Sequence, residues 1–356
     1  MTPQNETIAI AMSGGVDSSV AAALLVEQGF DVFGVMLRLW SAGPESSNRC
    51  CTPEDVSLAQ RVAHQLDIPF HTLDVKSLFK QEVVDPFIDD YAQGRTPNPC
   101  LRCNRIVRWG FLLESVLSMG ASRLATGHYA RIRYENNRHY LYRAQDLSKD
   151  QSYVLSVLQQ AQLARTIFPL GDITKFEVRE IAAKLNLPIA DRAESQDLCF
   201  VGDLDYRDFL IDQGILLTPP GPILDEKGEI LGQHSGLANY TIGQRKGIRV
   251  SSSVPLYVIN KILQDNVLLV GPKDGLGRTS FNIGQVNWIS GSPPSGDGSI
   301  RVRVRYKAEE VGATLQSIED AGGEVQLLES LPDVTPGQYA VFYDGEKCLG
   351  GGIILP

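Results

Sequence analysis

Thr7-Ile8-Ala9-Ile10-Ala11-Met12-Ser13-Gly14-Gly15-Val16-Asp17-Ser18-Ser19 sets the architecture of the first half of this chain. Thr7–Met12 is a short apolar run of the kind found in strands buried on both faces. Two glycines end it, and a helical pattern follows over Ser18–Gln28 until Gly29 stops it. Outward from this unit, Asp31–Leu39 and Phe70–Val75 read as strands and Pro53–Leu66 as a helix. Ile106–Met119 is amphipathic with Gly120 as its stop; Arg123–Thr126 is another strand and Phe176–Leu185 another helix. Strands alternating with helices specify a parallel sheet with right-handed crossovers. Residues 1–205 are therefore expected to form an α/β domain built on a doubly wound parallel sheet.

Beyond about residue 205 the texture changes. Gly-Pro and Pro-Pro turns separate short β-branched runs such as Pro255–Asn260, Asn266–Val270, Ile300–Tyr306 and Tyr339–Tyr343. That spacing predicts small antiparallel sheets or barrels, divided into a β-rich domain at 206–275 and a C-terminal β-barrel at 276–356.

At 356 residues, 43% of them hydrophobic, the chain can bury several cores. No apolar run approaches the ~18 residues of a membrane helix, and the first one ends at Gly14-Gly15, so a cytoplasmic protein with no membrane partner is expected. The 33 Lys and Arg against 42 Asp and Glu give a net charge of −9, which argues against indiscriminate nucleic-acid binding. A local basic surface on an acidic body is still open. The six cysteines, Cys50, Cys51, Cys100, Cys103, Cys199 and Cys348, are expected as reduced thiols, with Cys348 incidental in a polar hairpin-like tail.

The glycines of Ser13–Ser19 allow close backbone approach to an anion, and the helix start adds amides and a positive dipole end. The plain alternative is a βα turn with an Asp-Ser cap. No Gly-x-x-x-x-Gly-Lys-Ser/Thr occurs, so no P-loop lysine grips a terminal phosphate, and no dinucleotide fingerprint follows the strand. The loop resembles the PP-loop of the ATP pyrophosphatase superfamily, whose adenine nucleotide alpha hydrolase-like fold transfers AMP to a substrate oxygen. Ligands of such sheets lie beyond the carboxyl ends of the strands, which adds Leu37 and Gly127 as adenosine-pocket candidates.

Pro97-Asn98-Pro99-Cys100-Leu101-Arg102-Cys103-Asn104 reads as a loop leading into a helix near Ile106. A thiol just before a helix has its thiolate stabilised by the dipole, and Arg102 and Arg105 add charge, so Cys103 is a candidate nucleophile. The alternatives are two small buried residues at a turn, or half of a zinc site whose second Cys-x-x-Cys is missing.

In order and spacing, Ser13–Ser19, Thr96–Asn104, Ala125–Ala130, Lys149–Tyr153, Phe168–Gly171, Ser195–Gly202 and Tyr240–Gly247 resemble bacterial tRNA-specific 2-thiouridylases over essentially the whole chain. The resemblance implies ATP binding by Ala11, Met12, Ser13, Gly14, Gly15, Val16, Asp17, Ser18, Leu37 and Gly127. It implies a nucleophile at Cys103 and a persulfide carrier at Cys199, with a Cys103–Cys199 disulfide as one outcome of the reaction. It also implies tRNA contacts at His128, Lys149, Asp150, Gln151, Arg305, Tyr306 and Gln338. The tRNAs would be those for Lys, Glu and Gln, and the sulfur would come from a cysteine desulfurase or a relay protein. Many relatives carry Asp where this chain has Cys100. Cys100, Cys103 and Cys199 could instead hold an iron–sulfur cluster; the cluster-free mechanism is the simpler one. Mg²⁺ is expected on the triphosphate, with Asp17 nearby.

The chemistry that follows is adenylation of the wobble uridine (position 34) carbonyl oxygen, then attack by persulfide sulfur to give 2-thiouridine, AMP and pyrophosphate. Other adenylating PP-loop enzymes, amidotransferring or lysidine-forming, are the alternative. For His128 the alternative is a hydrogen-bonded structural role, and Asp150 suffices as a helix cap. Finally, Arg301-Val302-Arg303-Val304-Arg305-Tyr306-Lys307 alternates strictly, so one strand would set four cations on one face to meet tRNA phosphates. A solvated edge strand is the bland reading. Arg245, Lys246 and Arg249 form a second short basic cluster.

Overall fold

The computed structural model describes residues 6–42, 52–189, 198–202, 205–214, 219–294, 300–319, 322–332 and 334–356. Cys50, Cys51 and 195–197 lie outside the described residues.

Five parallel strands form the first sheet, in the spatial order Phe70–Asp74, Asp31–Arg38, Thr7–Ala11, Arg123–Thr126, Thr166–Ile167. The order reverses between Thr7–Ala11 and Arg123–Thr126, which is where a doubly wound sheet opens a ligand crevice. Both faces of the central strand are covered. Ile8 and Ile10 pack with Val20, Leu25, Leu58 and Val62 from helices Val16–Glu27 and Pro53–Gln65. Ala9 faces the opposite core, with Trp109, Leu112 and Leu158.

The helix that carries the Cys-x-x-Cys pair starts earlier than its pattern suggests. Pro99–Arg102, Cys103–Leu112 and Leu113–Ser118 follow one another without a break, the middle stretch π-wound. Asn98 is the cap position and Pro99 the first helical residue, a place where proline's missing N–H costs nothing. Cys103 is thus one turn inside a helix, and it is Cys100 that occupies the first turn.

The second sheet has four strands, Tyr257–Ile262, Val267–Gly271, Gly221–Leu224 and Ile230–His234. It is mixed rather than purely antiparallel, because Leu268 and Leu269 run parallel to Ile223 and Leu224. It has its own small core of Ile223, Leu237, Tyr240, Val258, Leu268 and Val270.

Six antiparallel strands between Arg278 and Ile354 close into a barrel, with Arg278–Trp288 pairing both Gly322–Leu331 and Lys347–Ile354. A hairpin from the first half of the chain, Ala130–Glu135 and Arg138–Arg143, adds to the same sheet through Lys347↔Tyr142 and Cys348↔Leu141. Its turn residues Asn136 and Asn137 have φ of 49° and 63°, the left-handed pair that a two-residue hairpin requires. One core therefore runs from Trp109, Leu141 and Tyr153 into Val341, Tyr343 and Cys348 of the barrel. Cys348 is not in a polar tail: it is fully buried in a strand.

The basic run folds differently from its alternating pattern. The strand is only Ile300–Arg303. Glu310 sits between the cations, accepting from Arg303 at 2.6 Å and from Arg143 at 2.7 Å, while Arg301 donates to its backbone oxygen. Arg143 and Arg303 also lie over the Tyr343 ring at 4.1 and 5.4 Å. Arg305, past the strand end, donates to Ile242 O and Thr335 Oγ1. The expected row of four cations on one strand does not form: the strand ends at Arg303, Arg301 and Arg303 turn to Glu310, and Arg305 turns to Ile242 O and Thr335 Oγ1.

Candidate active site

Ser13–Gly15 turns from the central strand into helix Val16–Glu27 at the crevice. Gly14 has φ 71°, and a Cβ there would stand 2.6 Å from Asp55 O, so conformation and space both demand glycine. Gly15 is the N-cap and supplies no side-chain cap, which leaves the helix start to amides. Ser13 N donates to Ser18 Oγ at 3.2 Å, and the Ser18 and Ser19 hydroxyls donate to Gly15 O at 3.2 and 2.9 Å. These bonds hold the loop open and curved. Across the crevice, a Cβ on Gly127 would come 2.7 Å from Ser18 N; glycine lets the end of Arg123–Thr126 rest on the helix start. Ala11 and Met12 end the strand, and Leu37 ends its neighbour. The sequence-derived nucleotide residues thus converge on one edge, forming a narrow backbone-lined cradle suited to an anion.

Asp17 is less available than its position implies. Its Oδ1 accepts from Tyr129 Oη at 2.7 Å and from Lys175 Nζ at 2.6 Å. Lys175 is largely buried, its side chain 11% exposed. Neither partner is legible in the loop itself. Lys175 stands 158 residues away, and the only local cue is the Thr174-x-x-Glu177 capping box that starts its helix. A lysine absent from the motif is therefore supplied by the fold.

Cys103 is buried, Cys199 half-buried and Cys100 exposed. Cys103 belongs to an apolar cluster with Leu39, Phe79, Phe87, Phe200 and Phe209, and Cys199 and Leu37 pack against that cluster. The thiols are thus brought to the nucleotide edge through Leu37. Nearby, Arg102 pairs with Glu82 and Arg105 bonds the Tyr339 hydroxyl. Asn104 fixes the helix by donating to Val154 O at 2.8 Å. Among the described residues no group of three or more His, Cys, Asp or Glu is placed to hold a metal ion.

The barrel grips the loop before these cysteines. Thr96 N donates to Pro336 O at 3.1 Å, and Gln338 Nε2 donates to Thr96 O and Pro97 O at 2.9 and 3.2 Å. Gly337, φ 90°, lets the two backbones meet. Tyr306 Oη donates to Asp150 O at 3.1 Å, and the Cys100 thiol is close enough to bear on the Tyr306 hydroxyl. Asp150, Tyr306, Gln338 and Cys100 are therefore neighbours where the barrel meets the first domain. Within that group Asp150 is buried, accepting from Ala144 N, Ser152 N and Ser152 Oγ. It is not the N-cap its sequence suggests: that position falls to Gln151, and Asp150 braces the turn just before the helix. Gln151 Oε1 accepts from Tyr129 N. His128 is buried between Thr126 Oγ1, 2.7 Å from Nδ1, and Arg108, 3.5 Å from Nε2. Burial first, and the Arg108 charge second, hold its pKa well below the ordinary histidine value, so its ring is neutral at physiological pH.

A family described as the tRNA methyl transferase HUP domain matches residues 6–203. The tRNA methyl transferase PRC-barrel domain matches 207–272, and the aminomethyltransferase beta-barrel domain 278–354. The chain is 46% identical over 352 residues to the tRNA-specific 2-thiouridylase MnmA of Moorella thermoacetica, covering 97% of this chain and 98% of that protein. It is 43% identical to the namesake from Magnetococcus marinus over 99% of each, and 45% identical to that of Chloroflexus aurantiacus over 98% of each. By full-length likeness at this level, the chain belongs to the tRNA-specific 2-thiouridylase family.

Proposed function

We propose that this chain uses ATP to adenylate the C2 carbonyl oxygen of the wobble uridine (position 34) in tRNA and replaces that oxygen with sulfur. AMP and pyrophosphate are released. The observation that carries this reading is the packing of Cys103, Cys199 and Leu37 into one apolar cluster beside the Gly14–Gly15–Gly127 cradle. A ligase that used a free amine would have no need of two thiols there. Attachment of AMP makes the carbonyl oxygen a good leaving group; the Ser13–Ser18 amides and hydroxyls would hold the phosphates, and Lys175 supplies positive charge at the same place. Mg²⁺ is proposed to travel on the nucleotide's phosphates, since Asp17 already carries an ammonium.

Sulfur arrives as a persulfide on Cys199, delivered by a cysteine desulfurase or relay protein. The terminal persulfide sulfur attacks C2 and adenylate leaves. The Cys103 thiolate then attacks the Cys199 sulfur, breaking the S–S bond to leave 2-thiouridine and a Cys103–Cys199 disulfide, which a cellular thiol reduces. The tRNA would contact the neighbouring Lys149, Gln151, Tyr306 and Gln338, with Arg305 bracing that surface through Ile242 and Thr335 and with Asp150 and His128 buried behind it. Domain limits near 205 and 275 and a cytoplasmic location, where these thiols stay reduced, complete the proposal. Enzyme, unmodified tRNA for Lys, Glu or Gln, a persulfide donor and labelled ATP should yield 2-thiouridine by nucleoside mass spectrometry with AMP and pyrophosphate. ADP and phosphate as products would overturn the adenylation step.

A further inference from the structure

From Ile230 to Gln264 the chain has no Asp or Glu, although the whole molecule has a net charge of −9. The same stretch holds Arg245, Lys246, Arg249 and Lys261. Lys261 is spent internally, its Nζ donating to Tyr240 O at 3.0 Å. The other three are exposed, and among the described residues no acidic side chain pairs with any of them. This is the reverse of the Arg301–Arg305 run, whose guanidiniums are consumed by Glu310, Ile242 and Thr335. Arg245 and Arg249 line a concavity of about 370 Å³ together with Ser252 and Ser253. Arg249 has φ 59°, a left-handed conformation that glycine or asparagine would adopt more readily. The backbone there does not ask for arginine.

The loop is held in place rather than hanging from the surface. Gly243 N donates to Val258 O and Val258 N to Gln244 O, each at 2.9 Å, and Gln244 Nε2 donates to Lys246 O at 2.8 Å. Its root is fastened to the barrel, because Arg305 bridges Ile242 O and Thr335 Oγ1. Thr335 in turn begins the turn that carries Gln338 and grips Thr96 and Pro97. One chain of contacts thus leads from the Thr96–Pro97 loop before Cys100 to the basic concavity.

We propose that Arg245, Lys246 and Arg249 form a second docking surface, which takes backbone phosphates of the tRNA outside the nucleotide being modified. The proposal rests on the function inferred above and adds the central domain to the RNA footprint. Two guanidiniums beside serine hydroxyls, with the exposed Lys246 next to them in the chain, suit successive phosphates. Such contacts carry no base specificity and fix register.

The test titrates tRNA against the full-length enzyme and against the triple variant Arg245→Ala/Lys246→Ala/Arg249→Gly over a range of salt. Arg249→Gly relieves the left-handed backbone, so the variant keeps its fold, checked by its melting curve. Each lost phosphate contact lowers the log–log salt slope by about one, so the slope should fall by about 2 to 3, and Arg249→Lys alone should keep it. Wild-type binding with an unchanged slope in the triple variant overturns the second surface and leaves the proposed function standing. Failure of the wild type to bind tRNA at all removes both. An unchanged slope with weaker binding of the persulfide-donor protein would mark this as a protein-docking face and refute the RNA assignment.

Discussion

Cys103 and Cys348 are both buried, and burial alone would make them the same kind of residue. Cys348 sits in a barrel strand, in the core shared with Leu141, Val341 and Tyr343, its Sγ 3.9 Å from Ser152 O. Burial pushes its thiol up to about 12, so its thiolate fraction at neutral pH is on the order of 10⁻⁵. Cys103 lies in a cluster whose edge is formed by Cys199 and Leu37 and whose helix begins at an exposed Cys100. One thiol is enclosed in a strand core; the other is one helical turn from the exposed Cys100. The two thiols thus differ in what adjoins them: Cys348 has barrel core on its sides, and Cys103 has a second cysteine packed against its cluster.

The sharpest way to break that contrast is to exchange sulfur for oxygen at each place. Cys103→Ser and Cys199→Ser should each lower thiolation about a thousandfold or more while melting near the wild type. A Cys199→Ser enzyme that still thiolates with a persulfide donor would end the persulfide role. Cys348→Ser should do the opposite, losing about 1–3 kcal/mol of stability, read as a shifted urea midpoint, with thiolation per folded molecule retained. Alkylation of the native wild type at mild alkaline pH should likewise spare Cys348. A stable but inactive Cys348→Ser enzyme would show that the sealed thiol takes part after all. The smallest effect is expected at Cys100→Asp. A carboxylate in the first turn of a helix changes stability by within about 1 kcal/mol, and thiolation should continue. Its complete loss would mean that a third thiolate is required, as a cluster would need.

Much of this was legible where the signal is local. The Thr7–Ser19 stretch specified a strand, a glycine turn and a helix start, and these lie at the reversal of the sheet. Pro99 was also a local signal, a proline at a helix start, but its place in Pro-Asn-Pro disguised it as loop and moved the helix too far along the chain. Asn136-Asn137 is likewise a hairpin turn whose consequence, a strand pair added to a barrel some 200 residues later, has no trace nearby. The Arg301–Lys307 pattern misled for a different reason. Alternation reports which faces side chains take only while the strand lasts, and the charges that end it, Glu310 and Arg143, come from a following loop and a distant hairpin. Lys175 could not be assigned to Asp17 without the fold.

The hairpin at 130–143 has a consequence for synthesis. Its partner strand begins at Lys347, so at ribosomal rates of about 5–20 residues per second the edge stands open for roughly 10–40 s after it is made. In that interval Arg138–Arg143 is a strand edge with nothing beside it, the kind of surface that pairs with a neighbouring nascent chain. Its sequence, Arg138-His139-Tyr140-Leu141-Tyr142-Arg143, places a guanidinium at each end. Those two charges guard the template until Lys347–Ile354 arrives. When it does, one strand closes the barrel and caps the hairpin in the same event. A chain stopped before Lys347 would forfeit both.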